Sequence, residues 1–291
     1  MTVIADWLDV TYSPESNPRD EIRLFLGNLG YSCQDYSSDR EMWKHGEFDG
    51  ILISQLKSGS FARLSASGGV LSHLREIGHF KNYLALLSDY PHRVTRLDAA
   101  HDVYKDAPRI LADLESRYPR EVSLNRQRLL RCHYLMSTRS DGLRSGTMYA
   151  GHRSKARVTA RVYDKALEGF EKRGELLSPR TRYELTFRDG IADLWDALEP
   201  APIFWAHSSS LLPVPADAPE WSPSDSGGWS YKRPEVLPAV RLARQVSDSS
   251  DLSMLIDLAD RLGPEGRNTL MHAIANRLGV SHKGAYFSKA S

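Results

Sequence analysis

The stretch TMYAGHRSKARVTARVYDK, residues 147–165, decides the fold, because it predicts a β-hairpin that leads into a helix. Its first part, Thr147 to Ala150, is rich in residues that favour strands, and the segment 151–155 is turn-like and basic. A second strand follows from Val158 to Tyr163, and a helix is expected to begin near Asp164. With the other predicted strands and helices, this hairpin favours an α+β fold with a central, mostly antiparallel β-sheet flanked by helices.

Tyr163 lies at the end of the second predicted strand, two residues after Arg161 and two before Lys165. Because side chains alternate across a strand, these three side chains should project from one face. Cations beside a phenol lower the cost of forming a phenolate and attract a phosphodiester, so Tyr163 is a candidate nucleophile toward DNA. The alternative is a half-buried strand tyrosine between two solvated charges.

Positive charge is concentrated in one segment of an almost neutral chain. The 291 residues carry a net charge of +1, but residues 120–165 hold eleven Lys or Arg against three acids, which gives that segment a charge of +8. Such a band is expected of a protein that binds a phosphate backbone, and Arg153, Lys155 and Arg157 around the hairpin turn are candidate DNA contacts. The alternative is an ordinary solvated face.

Two further predicted strands carry charged side chains on one face. In HRVTRLDAAHDVY, residues 92–104, alternation places Asp98 and Asp102 on the same side. In RTRYELTFR, residues 180–188, Arg182 and Glu184 share a face, and Arg182 is a further candidate DNA contact. Burying carboxylates without partners is costly, so Asp98 and Asp102 are expected either at a solvated edge or around a metal.

Composition divides the chain into three predicted parts. Residues 1–199 contain the predicted strands and are assigned to one catalytic and DNA-binding domain. Residues 200–238 hold eight of the fifteen prolines and three of the six tryptophans, which is typical of a linker or an ordered arm. Residues 239–291 are predicted to be helical, and the end of this region fits a helix-turn-helix and a plain three-helix bundle equally well.

Several classes of protein are disfavoured by what the sequence lacks. No apolar run approaches the roughly 20 residues that span a bilayer, and the N-terminus has no basic region of a secretory signal. Cys33 and Cys132 are too far apart to suggest a disulfide framework or a metal motif, so a cytoplasmic protein without a membrane partner is expected. A small-molecule enzyme is disfavoured because there is no glycine-rich phosphate loop, GxSxG or zinc motif.

Five segments, taken in order, resemble the Rep_trans group of replication initiators, which occur in small rolling-circle plasmids and filamentous phages. They are ADWLDVTY, SGGVLSHLREIG, VTRLDAAHDV, TMYAGHRSKARVTARVYDKALE and RTRYELTFR, and they cover residues 1–195 approximately. The resemblance implies a fold like that of rolling-circle nickases. It also implies an enzyme that nicks origin DNA, becomes linked to the 5′ phosphate through a tyrosine, leaves a 3′-OH that primes replication, and later rejoins the strand.

Carried over by position, the resemblance implies that Tyr163 is the nucleophile and that Arg161 and Lys165 hold the scissile phosphate. It implies origin DNA, single-stranded or cruciform, as the substrate, and a host helicase and polymerase as partners. Because a single tyrosine needs a second one to terminate the circle, a homodimer is also expected.

The resemblance further implies Asp98, Asp102 and Glu184 as ligands of Mg²⁺ or Mn²⁺, ions that prefer carboxylate oxygens. Rolling-circle nickases of the wider superfamily bind their metal through a His-x-His pair, which this sequence lacks. His101 is next to Asp102 but points to the opposite face of a regular strand.

Two other functions remain open from the sequence. The first is a DNA-binding regulator on the same fold that has lost catalysis. The second is a metal-dependent phosphoesterase that uses water, in which Tyr163 is only structural.

Overall fold

The computed structural model describes residues 2–12, 18–37, 40–45, 50–55, 62–124, 129–138, 142, 144–152, 156–174 and 176–222. The chain divides into two units, Met1–Ser230 and Tyr231–Ser291, and all described residues belong to the first. The predicted helical region 239–291 therefore lies outside the described residues, and the predicted domain boundaries stay predictions.

The described unit contains eleven strands and seven helices. The strands are β1 (Val3–Tyr12), β2 (Ser32–Ser37), β3 (Arg40–Lys44), β4 (Ile51–Gln55), β5 (Ala62–Ser67), β6 (His92–Val103), β7 (Glu121–Ser123), β8 (Leu129–Thr138), β9 (Arg144–Ala150), β10 (Val158–Asp164) and β11 (Thr181–Arg188). The helices are α1 (Arg19–Asn28), α2 (Gly68–Glu76), α3 (Phe80–Ser88), α4 (Ala107–Arg117), α5 (Lys165–Arg173), α6 (Leu194–Leu198) and α7 (Ala201–Ser208).

The strands form one sheet in the order β2-β3-β4-β5-β1-β6-β11-β10-β9-β8-β7. Every strand pair in it is antiparallel. The predicted α+β class with an antiparallel sheet is confirmed. The predicted hairpin is the pair β9–β10, in which Tyr163 lies opposite Thr147.

One face of the sheet is apolar and is covered by helices, and we call it the covered face. Leu8, Leu97 and Leu185 are among its fully buried side chains. The contacts that place α3, α4 and α7 on it are Tyr12 Oη to Leu87 O at 3.1 Å, Tyr134 Oη to Leu114 O at 3.0 Å, and the rings of Phe187 and His207 with centroids 5.2 Å apart. Apolar burial on this face is the main source of stability in the unit.

The opposite face is polar at the centre of the sheet. It carries Arg96, Asp98 and Asp102 from β6, Arg182, Glu184, Thr186 and Arg188 from β11, and Arg161 and Tyr163 from β10. These residues share a face because the register pairs Asp102 with Arg182, Asp98 with Thr186, and Arg161 with Glu184 across neighbouring strands. We call this set the polar face.

The beginning of the predicted linker is part of the folded unit. Residues 201–208 form α7, in which Ile203 and Phe204 are fully buried and Trp205 is nearly so. The prolines are compatible with this helix, because Pro200 and Pro202 occupy the N-terminal cap and first turn, where a proline costs no helical hydrogen bond. No described helix is long and apolar enough to cross a membrane.

The position of α7 predicts a large loss of stability for Phe204→Ala. Removing a fully buried phenyl ring should lower the free energy of unfolding by about 3 to 5 kcal/mol, because it leaves a cavity between α7 and β6. Leu24→Ala, at a side chain of α1 that is 67% exposed, is the matched control and should change it by about 0.5 kcal/mol or less. Urea denaturation measures both; equal, small effects would contradict the position of α7 in the core.

Candidate active site and nucleic-acid interface

The end of β10 is held in place by Asp164, which ends the strand and caps α5. Its side chain accepts a hydrogen bond from Leu167 N at 3.0 Å, which satisfies a free donor in the first turn of the helix. Its other oxygen accepts from Ser145 Oγ of β9 at 2.8 Å, in a buried contact. Tyr163 therefore occupies a strand end that is fixed from both sides.

The structure brings together the three residues that the sequence places around the proposed nucleophile. The Arg161 guanidinium lies over the Tyr163 ring, 4.2 Å from its centroid, and Lys165 Nζ lies 5.7 Å from the same centroid. Both distances lie in the range of cation–π contacts. Lys165 also forms an ion pair with Glu168 at 2.8 Å, one turn further along α5.

Burial dominates the ionisation of Tyr163. The side chain is 4% exposed, and its burial raises the pKa of the phenol well above the usual value, an effect to which the negative charge of Glu184 adds. Arg161 and Arg182 act in the opposite direction but do not outweigh burial. Arg161 thus lowers the cost of forming the phenolate, as expected from the sequence, but the net pKa is raised because desolvation of the anion has the larger effect.

Glu184 connects Tyr163 to Arg161. Its Oε2 accepts a hydrogen bond from Arg161 Nη2 at 2.7 Å and a longer one from the Tyr163 hydroxyl at 3.4 Å. Burial raises the pKa of Glu184 and the nearby Asp98 adds to the rise, although Arg161 opposes it. The phenol thus faces a buried carboxylate that has an increased affinity for a proton.

Asp102 is bound by Arg182 in a two-point contact. Arg182 Nε and Nη2 donate to the two carboxylate oxygens at 2.7 and 2.9 Å, and Nη1 donates to Asp6 of β1 at 3.0 Å. Burial alone would raise the pKa of Asp102, but the hydrogen bonds and charge of Arg182, together with Arg180 and Lys165, hold it below its usual range. This arginine is 7% exposed. Its donors are used inside the sheet, and its predicted role as a DNA contact stays a prediction.

Asp98 is bound in the same way by Arg96. Arg96 Nε donates to one carboxylate oxygen at 2.9 Å, and a second nitrogen of the same guanidinium contacts the other oxygen. Burial raises the pKa of Asp98, against the opposing effect of Arg96. Its side chain is 3% exposed, so the predicted solvated edge is not where it lies.

The three predicted metal ligands do not fit a metal in this arrangement. Asp98, Asp102 and Glu184 each bind a different arginine: both carboxylate oxygens of Asp98 and Asp102 are contacted, and Oε2 of Glu184 accepts from Arg161. Within the described ranges, no group of three or more His, Cys, Asp or Glu is placed to hold a metal ion.

His101 points away from these carboxylates, as strand alternation requires. Its Nδ1 lies 2.9 Å from Thr2 O, and its ring packs 5.2 Å from that of Trp205 on the covered face. It therefore has no access to the polar face.

The predicted DNA contacts at the hairpin turn are only partly described. Arg157 is exposed, and its Nη2 donates to Asp189 O at 3.4 Å. Arg153 and Lys155 lie outside the described residues, so their contribution stays a prediction.

The segment that contains β6, β10 and β11 matches a known protein family in sequence. Residues 92–199 match the Rep_trans family of replication initiation factors. The resemblance read from the sequence is confirmed over this segment, and it supports replication initiation as the process in which the chain acts. No curated protein matches the chain.

Two solved structures are similar to the chain at a low level. One is a rolling circle replication initiator protein from Geobacillus stearothermophilus, with 17% identity over 65% of this chain and 74% of that chain and a TM-score of 0.45. The other is the di-domain ARO/CYC BexL from the BE-7585A biosynthetic pathway, with 11% identity over 68% and 92% of the two chains and a TM-score of 0.19. Both TM-scores are below 0.5, so neither likeness assigns a role to a residue.

Two residues beside these ion pairs were not assigned to the site from the sequence. Asp6 lies at a bulge in β1, and Trp7 stacks against the guanidinium of Arg96 at 4.9 Å. Gly68 is required beside the bulge, because a Cβ there would come within 2.4 Å of Asp6 Oδ1. The signal was present in the segment ADWLDVTY, whose acidic residues interrupt an otherwise apolar strand.

The contact between Asp102 and Arg182 predicts a pH-dependent contribution to the stability of the described unit. Asp102→Asn should lower the free energy of unfolding at about pH 7 by roughly 1 to 2 kcal/mol, because a charge-assisted contact is lost at a partly exposed site. Since the folded pKa of Asp102 is lowered, this contribution is present above the unfolded pKa of about 3.9 and disappears as pH falls through the folded value.

Denaturant titrations of the wild type and Asp102→Asn, repeated from about pH 7 downward, should therefore converge below about pH 4. Asp113→Asn is the control, because Asp113 forms an exposed pair with Arg117 and should change stability by less than about 0.5 kcal/mol. A difference between wild type and Asp102→Asn that is the same at every pH would contradict the assignment.

Proposed function

We propose that this chain is a rolling-circle replication initiator that nicks origin DNA by attack of Tyr163 on a phosphodiester. The observation that carries the proposal is the grouping of Arg161 and Lys165 around the Tyr163 ring, at a fixed strand end inside the segment that matches replication initiation factors. A phenol between two cations suits attack on an anionic phosphodiester better than it suits packing.

In the proposed reaction, the Tyr163 hydroxyl oxygen forms a bond to phosphorus while the bond from phosphorus to the 3′ oxygen breaks. The phenol loses its proton, and the departing 3′ oxygen gains one. The products are a 5′-phosphotyrosine and a free 3′-OH that primes synthesis. Attack by a 3′-OH on the phosphotyrosine reverses the reaction and rejoins the strand without ATP, because the phosphotyrosine conserves the bond energy.

The site's own residues account for the charge that develops during attack. Arg161 and Lys165 neutralise negative charge on the non-bridging oxygens of the phosphate, which is the largest single contribution in many enzymes. Because burial keeps the Tyr163 phenol protonated, its proton has to leave during attack. Glu184 Oε2, at 3.4 Å from the hydroxyl, is the acceptor that Tyr163 contacts, and distances of this kind commonly shorten when substrate binds.

The predicted metal requirement does not depend on the roles given above to Tyr163, Arg161, Lys165 and Glu184. Rolling-circle initiators in general use divalent metal ions, and Mg²⁺ or Mn²⁺ remains the cofactor that we propose for nicking. Such an ion would polarise a phosphoryl oxygen when bound. Nicking that continues at the full rate in EDTA would contradict the proposed requirement.

A second candidate function is a DNA-binding protein of the same family without nicking activity. The observation that favours it is the burial of Tyr163, which is 4% exposed and hydrogen-bonded inside the polar face. A third possible function, that of a phosphoesterase that uses water, differs from the nickase because it forms no protein–DNA adduct.

For the initiator itself, we propose a second copy of the chain, a host helicase and a host polymerase as partners.

Covalent capture from a random single-stranded DNA library, with Mg²⁺ or Mn²⁺ present, tests the proposed chemistry and identifies the nick site. Wild-type protein should yield adducts that survive SDS, and Tyr163→Phe should reduce their yield by roughly 10³-fold or more, because only the nucleophilic oxygen is lost. Tyr149→Phe is the matched control, since Tyr149 lies opposite Arg161 on the same face, and should keep full yield. Undiminished adduct formation by Tyr163→Phe would exclude Tyr163 as the nucleophile.

Lys165→Gln should slow the single-turnover rate of nicking by about 10²-fold, because one donor to the phosphate is removed. Lys165→Arg keeps the charge and should retain most of the rate. Affinity for uncleaved DNA, measured in the Tyr163→Phe background, should change much less than the rate in both variants. Equal losses of rate and affinity in Lys165→Gln would indicate a binding contact without a role in the reaction.

A further inference from the structure

A second tyrosine lies at the end of the sheet where Tyr163 is found. Tyr104 directly follows β6 and is 70% exposed. Single exposed apolar residues are common on protein surfaces, so this exposure alone assigns no role. Tyr104 differs from such residues in its position beside the proposed nicking site and in the contact that orients its ring.

The Tyr104 ring is held by Arg180. The Arg180 guanidinium lies over the ring, 5.2 Å from its centroid, which is in the range of cation–π contacts. The same guanidinium lies 3.8 Å from a carboxylate oxygen of Asp102, so it is held on the polar face of the sheet. Tyr104 is therefore an exposed ring in a defined orientation at the edge of that face.

The pairing of the strands places Tyr104 in one row with Lys165. Thr181 of β11 lies opposite Val103 of β6, so the next residues along these two segments, Arg180 and Tyr104, are neighbours. On the other side of β11, Lys165 N donates a hydrogen bond to Arg180 O at 3.1 Å. Since neighbouring strands are about 4.8 Å apart, the backbone of Tyr104 lies roughly 10 Å from that of Lys165.

Space for a ligand is present beside the Tyr104 ring. Tyr104 lines an open cavity of about 810 Å³ at this edge of the sheet. Apolar side chains form part of the lining, among them Ile4, Val103, Ile110 and Leu212. A planar and largely apolar group can enter next to the ring, and its removal from water is favourable there.

The chemistry of this row suits a neutral planar ligand. Its two cations already have acidic neighbours, since Arg180 lies against Asp102 and Lys165 forms an ion pair with Glu168. A nucleobase binds an aromatic ring through its π face, which requires neither an excess of charge nor a free hydrogen-bond donor. Aromatic rings and guanidinium planes are the groups on which unpaired bases stack in proteins that bind single strands.

We propose that Tyr104 stacks against one unpaired base of the DNA strand that Tyr163 attacks, within about three nucleotides of the cleaved bond. The proposal rests on the proposed nicking function. The limit of about three nucleotides follows from the roughly 10 Å between Lys165 and Tyr104 and a rise of about 3.4 Å per nucleotide along one strand. Because every base has a π face, the contact positions the strand over Tyr163 without reading its sequence, and it requires the strand to be unpaired at that point.

DNA affinity tests the stacking contact. In the full chain carrying Tyr163→Phe, Tyr104→Ala should weaken binding of single-stranded DNA by about 5- to 100-fold, the range that loss of base–aromatic stacking gives. Tyr104→Phe keeps the ring and should keep the affinity. The slope of log K against log salt should not change in Tyr104→Ala, because no phosphate contact is lost, and neither should the affinity for fully paired duplex.

Trp195→Ala is the matched control for this measurement. Trp195 is also 70% exposed, but it belongs to α6, which packs against α3 and α7 of the covered face, and its loss should change none of these values. Unchanged affinity of Tyr104→Ala for single strands would overturn the proposal. A loss that is equally large on duplex DNA, or that comes with a smaller salt slope, would overturn it as well.

A scan with abasic sites locates the stacked base on the captured nick-site strand. Removing single bases in turn should lower the affinity of the parent protein at one position within about three nucleotides of the nick, and Tyr104→Ala should be insensitive at that position only. Adducts at full yield with no Tyr104-dependent position would overturn the stacking contact alone. Tyr104-dependent binding of single strands without any adduct would overturn the nicking function, and with it the positioning role.

Discussion

Carboxylates on the polar face of the central sheet each lie against an arginine. Arg182 holds Asp102, Arg161 holds Glu184, Arg96 holds Asp98, and Arg63 holds Asp9. Removing one member of such a pair is destabilising, since the partner is left as an unpaired charge in the sheet. The pairs also connect neighbouring strands, because Arg182 on β11 binds both Asp102 on β6 and Asp6 on β1. The geometry of the site therefore depends on charge pairing across strands.

The same pairs explain why Tyr163 is a protonated phenol in this state. Two cations lie near its ring, but one of them, Arg161, is already neutralised by Glu184, and the surrounding side chains exclude water. Desolvation then exceeds the attraction of the cations and raises the pKa. In the proposed reaction, a phosphate that binds between Arg161 and Lys165 would compete with Glu184 for Arg161. Such competition would couple substrate binding to the release of the carboxylate as a proton acceptor.

Arginines held by carboxylates recur on this face. An arginine that is paired with a carboxylate is already held in position. Its guanidinium has five N–H donors, so it can still donate hydrogen bonds to an incoming anion. Arg161 beside Glu184 and Arg96 beside Asp98 share this arrangement. It differs from an exposed basic patch, in which side chains lose more conformational freedom on binding. The proposed binding of DNA therefore does not require a large net charge, and that of the chain is only +1.

The sequence by itself determined the strands and the central residues of the site. Alternation in β6, β10 and β11, the turn residues of the hairpin and the cap at Asp164 are local signals, and they place Arg161, Tyr163 and Lys165 together. Tertiary structure alone decided which arginine binds which carboxylate, because Arg182 and Asp102 are 80 residues apart and meet only through the order of the strands. It also placed α7 in the core and Asp6 beside Arg182, and it made burial outweigh the cations at Tyr163. Pairing and desolvation depend on neighbours from distant parts of the chain, which no local pattern specifies.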